Sequence, residues 1–77
     1  MNAKQTAARL EVMAAEILEA AIAERARMDV AYRTGSMSIT IAKRQDKLWQ
    51  AYYSMRAAIN ALYDLEQLDK DNKVSLE

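Results

Sequence analysis

Few residues in this chain can do chemistry, and their types narrow it at once. There is no histidine and no cysteine among its 77 residues, which removes the imidazole base and the thiolate nucleophile. The hydroxyls of Ser36, Ser38 and Thr40 stand close together, with Lys43 the nearest group that could serve as a base. All three precede a helical pattern, where such residues cap free backbone N–H groups. The carboxylates are dispersed along water-facing positions, so no acid/base pair is implied. Asp69-x-Asp71-Asn72 has part of the acidic spacing of a calcium loop but lacks its glycine and its closing glutamate. Zinc sites draw mainly on His and Cys, helical di-iron sites need Glu-x-x-His, and phosphate cradles need a glycine-rich loop. The expectation is a protein that is not an enzyme and that uses no metal and no cofactor.

What remains is the chemistry of recognition. Trp49, Tyr52, Tyr53 and Tyr63 crowd the second half of the chain, with Tyr32 the only aromatic residue outside it. Trp49, Tyr53, Arg56, Asn60 and Tyr63 step by four, three, four and three, which sets them along one flank of a helix. Trp, Tyr and Arg are the residue types enriched at binding hot spots. Trp49, Tyr53, Arg56 and Tyr63 are therefore the expected contact set, facing either another protein or a second copy of this chain.

Charge supplies a second candidate. The chain is neutral overall, with eleven basic and eleven acidic residues, yet residues 25–47 hold six basic residues against two acidic ones, a net of +4. Residues 57–71 hold one basic residue against four acidic ones, a net of −3. Arg33 suits the end of a first helix, but Lys43, Arg44 and Lys47 fall at the start of a second, where the helix dipole disfavours positive charge. Arg33, Lys43, Arg44 and Lys47 thus form a basic tip, and nucleic acid is the alternative partner it would serve.

The elements that must position these residues follow from one glycine. Gly35 is the only glycine, and there is no proline, so the chain has one place to reverse. The pattern predicts helix 1 over about 3–33, a turn at 34–39, helix 2 over about 40–70 and a frayed tail at 71–77. Asn2 is a good N-cap, with Gln5 placed to complete a capping box. In helix 1 apolar residues recur at Ala7, Leu10, Ala14, Ile17, Ala21, Met28 and Ala31, with Glu24 the polar residue on that seam. Ala15, Leu18 and Ile22 form a second row that widens the stripe beyond what one neighbouring helix covers. Helix 2 carries Ile41, Leu48, Tyr52, Met55, Ile59 and Leu62, broken by Gln45 and Glu66. Met37, Ile39 and Ile41 alternate with hydroxyl residues, which reads as a short extended stretch before helix 2.

The fold class expected is all-α: an antiparallel two-helix hairpin, paired as a coiled coil, in a single domain. Apolar residues make up 52% of the chain, but fifteen alanines account for much of that, so the large-side-chain core is thin. Domains this small need staples, metals or self-association. With the first two excluded, the hairpin is expected to complete a four-helix bundle as a homodimer. No apolar run is long enough to span a membrane, and the opening Met1-Asn2-Ala3-Lys4 is not a secretory signal; the expected location is the cytoplasm. The function expected is protein–protein binding, as a small adaptor, co-chaperone or regulator. The alternatives are a dimeric nucleic-acid-associated regulator or a structural assembly piece.

Overall fold

A computed structural model describes the backbone of residues 1–75 and the side chains of residues 1–71. Two helices, α1 (Ala3–Thr34) and α2 (Ile39–Ser75), pack side by side in a rod of 66 × 16 × 16 Å. The chain is an all-helical hairpin, as its periodicity predicts.

Local chemistry sets three of the four helix ends. Asn2 lies in extended backbone, and its Oδ1 accepts the Gln5 N–H at 3.0 Å, the expected cap of α1. Gly35 closes α1 in the left-handed region at φ 72°, ψ 15°. There the Ser36 N–H donates to Ala31 O at 2.9 Å and the Gly35 N–H donates to Tyr32 O at 3.4 Å. Those two bonds are the Schellman pattern, which satisfies carbonyls the helix would otherwise leave free. Ser38 then caps α2, its Oγ accepting the Ile41 N–H at 3.3 Å.

Two boundaries differ from the sequence reading. Ile39 belongs to α2 rather than to the turn, because the Ser38 cap starts the helix at once. At the other end, α2 runs through Ser75 instead of fading at residue 70, and residues 76–77 lie outside those described. Polar composition there marks the lack of a neighbouring helix, not the lack of a helix. The turns carry their own i,i+4 support, with Lys70 Nζ 3.3 Å from Glu66 Oε1 and Gln67 Nε2 donating to Asp71 Oδ1 at 3.1 Å.

The seam between the helices is mostly alanine on the α1 side. Ala3, Ala7, Ala14, Ala21 and Ala31 are buried, whereas Ile59 of α2 is the one large side chain fully withdrawn from solvent among the described residues. Leu10, Ile17, Met28, Ile41, Leu48, Tyr52, Met55 and Leu62 are each half-buried. Small residues on one helix let the larger ones of the other lie close to its backbone. The result is a narrow core whose flanks stay wet.

Candidate protein-interaction face

Glu11 organises the aromatic flank, and it is a residue the sequence reading missed. Its Oε2 lies 2.7 Å from Arg56 Nη1, and its Oε1 accepts a longer bond from Tyr63 Oη at 3.4 Å. Both partners belong to α2, so this carboxylate ties one flank of α1 to one flank of α2. On α1 that flank continues at helical spacing through Ala15, Leu18 and Ile22; on α2 it runs through Trp49, Tyr53, Arg56, Asn60 and Tyr63. Two rows that looked independent in the sequence therefore form one face.

The aromatic end of that face is organised from within. Trp49 stacks on Tyr53 at 5.8 Å between ring centroids, with 29° between planes, and meets Tyr52 edge-on at 5.9 Å. Tyr52 and Tyr53 also meet edge-on at 5.7 Å. Tyr52 holds the seam and Trp49 is half-buried, while Tyr53 is left 64% exposed on top of them. Such ring pairs limit side-chain freedom, which lowers the entropy cost of covering them. Ile22 and Tyr63 are exposed on the same face.

The basic tip is assembled differently. Arg33, Lys43, Arg44 and Lys47 are all exposed near the turn, but two of them are engaged. Arg44 Nε sits 2.8 Å from Glu24 Oε1, and Lys47 Nζ donates to Gln50 Oε1 at 3.4 Å. Glu24 lies on the α1 seam with its side chain only 6% exposed, and the same oxygen holds Arg27 Nη1 at 3.1 Å. The turn end thus contains a carboxylate within its cluster of cations. Gln45, also buried, sits at nearly the same level of the hairpin. Glu24 Oε2 and Gln45 Oε1 are buried without hydrogen-bond partners among the described residues. A polar layer of this kind costs stability, because buried acceptors lose their water, and it favours the one register in which its charge is met.

That geometry separates the tip residues by experiment. Lys43→Glu should change stability by no more than about 0.5 kcal/mol, the range for exposed sites. Arg44→Glu should cost about 1–2 kcal/mol, because it removes a charge-assisted hydrogen bond and sets a like charge against a buried carboxylate. Urea denaturation of the two variants checks this; equal midpoints would mean that the Arg44–Glu24 contact contributes nothing.

Of the hydroxyls of Ser36, Ser38 and Thr40, the first two have structural partners. Ser38 caps α2, and Ser36 Oγ lies 2.8 Å from Thr34 Oγ1, which also donates to Val30 O at 2.9 Å. Asp69 and Asp71 lie within α2, not in a loop. No helix among the described residues is long and apolar enough to cross a membrane. No protein-family model matches this sequence, and comparison with curated proteins and with solved structures returned no match.

Proposed function

We propose that this chain is a non-enzymatic protein-interaction module, a small adaptor, co-chaperone or regulator, that works as half of a helical bundle. Its working surface is the face built from Leu18, Ile22, Trp49, Tyr53, Arg56 and Tyr63. Two copies complete the four-helix bundle, and the aromatic face takes a second, different protein through a helical or extended apolar segment. The observation that carries this reading is the double contact of Glu11 with Arg56 and Tyr63. It sets the two rows side by side on one surface, where Ile22, Tyr53 and Tyr63 are exposed among residue types enriched at binding hot spots.

A photo-reactive phenylalanine derivative placed at Asn60, on the rim of that face, tests the reading in the native host. Adducts with another protein should form from position 60 and be absent from a control at Asp64 on the back of α2. Marking of only its own copy from position 60, or equal marking from both positions, would remove the proposal. Retention of the purified protein on RNA or DNA at about 50 mM salt, lost steeply as salt rises, would replace it with the nucleic-acid reading through the basic tip.

A further inference from the structure

The hairpin has a second broad face, opposite the aromatic one, and we propose that it is a self-complementary, antiparallel interface for a second copy of this chain. The inference rests on the reading that two copies complete the bundle, and it assigns the face and orientation by which they do so.

Shape is the first argument. Near the turn this face holds an open apolar depression of about 380 Å³, lined by Ala26, Arg27, Val30, Ala31, Ser36 and Ile41. At the far end of the same face Leu65 and Leu68 stand out from α2, Leu68 being 63% exposed. Between them the α2 side of the surface is low, because Ala51, Ser54 and Ala58 are exposed and small, while the α1 side carries Ala20 beside the exposed Met13. The cross-helix ion pairs Glu11–Arg56 and Glu24–Arg44 define the register of the hairpin. In that register the depression and the two leucines lie at nearly equal distances from the level of Ala51 and Ser54, on opposite sides of it. A two-fold axis through that level, perpendicular to the rod, carries the leucines of each copy onto the depression of the other. The small residues at the axis let the helices approach. Self-complementarity under a two-fold axis is what an isologous dimer requires.

Charge is the second, independent argument. In the half of the hairpin nearer the turn, residues 20–50, six basic side chains face three acidic ones, a net of +3. In the other half, residues 1–19 and 51–71, four basic side chains face seven acidic ones, a net of −3. Antiparallel pairing lays each positive half over a negative half, whereas parallel pairing opposes like charge along the whole rod. Area does not oppose it: the 66 × 16 Å outline caps the footprint at about 1,000 Å² per copy, which leaves room for the roughly 800 Å² per partner of a stable interface.

The absence of cysteine makes the test direct. Val30→Cys and Leu68→Cys both alter exposed positions, and circular dichroism checks that each variant keeps its helices. Sedimentation at micromolar concentration should show a discrete dimer whose dissociation constant rises roughly tenfold between 50 and 500 mM salt, as screening removes the end-to-end attraction. A short thiol cross-linker should join the two variants when they are mixed, and should join neither to itself. A dimer in which each variant links to itself is parallel and overturns this inference while leaving the bundle standing. A dimer that gives no link from either position uses another face, and overturns it too. A stable helical monomer removes the bundle reading itself.

Discussion

Ile59→Ala should lower the thermal midpoint of this protein by about 10–20 °C. Ile59 is fully buried, and no other large side chain among the described residues is. Truncating a buried isoleucine to alanine removes about 2–5 kcal/mol, from lost transfer energy and from the cavity left behind. The neighbouring seam residues are half-buried and can partly close the gap, which places the cost near the lower end, about 2–3 kcal/mol. For a small domain each kcal/mol moves the midpoint by about 4–8 °C. Against a total stability that scales to about 4–12 kcal/mol for 77 residues, one buried aliphatic side chain is a large share. Thermal melts followed by circular dichroism check this, with Ile22→Ala as the control. Ile22 is exposed, so its truncation should move the midpoint by only a few degrees. Equal effects at the two positions would mean that the helices pack about a different seam.

The double variant Tyr53→Ala, Tyr63→Ala should lose at least 2 kcal/mol of partner binding, roughly thirtyfold in affinity, while costing only about 1 kcal/mol of stability. Both rings are exposed in the hairpin, so folding gains little from burying them. What folding loses is the stacking of Tyr53 on Trp49 and the long bond from Tyr63 to Glu11, and each is a modest term near solvent. Binding loses the two rings that a partner would cover. The measurement is titration calorimetry against the protein that cross-links from position 60, paired with urea denaturation of the free chain. Unfolding of the double variant would mean that these tyrosines hold the hairpin itself. Unchanged affinity would place the contact surface elsewhere.

The seam was legible at residue level. Ala7, Leu10, Ala14, Ile17, Ala21, Met28 and Ala31 of α1 are all buried or half-buried, as are Ile41, Leu48, Tyr52, Met55, Ile59 and Leu62 of α2. Even its polar breaks follow the stripe, Glu24 and Gln45 being buried and Glu66 half-buried. Hydrophobic period carries that information because each helix writes its own buried stripe every three or four residues. The end of α2 was not legible, since a polar run reads as fraying whether or not its turns support themselves through pairs such as Glu66–Lys70. Nor was the role of Glu11. Beside Leu10 it is one charged residue among many until the register brings Arg56 and Tyr63 to it.

The sequence by itself determined the architecture: two helices, one reversal at Gly35, and the stripe along which they meet. Those are local properties, set by the absence of other breakers, by the left-handed conformation that glycine adopts without a Cβ penalty, and by periodicity within each helix. Only the tertiary structure decided which flank of α1 stands beside which flank of α2. That choice set Leu18 and Ile22 beside the aromatic row, left Ala20, Ala51, Ala58, Leu65 and Leu68 on the opposite side, and drew Arg44 out of the free basic tip onto Glu24. Neither helix encodes it alone, because register and handedness of pairing are properties of two surfaces in contact. Here that contact is governed by alanines packing under larger side chains and by two carboxylates that find their cations across the seam.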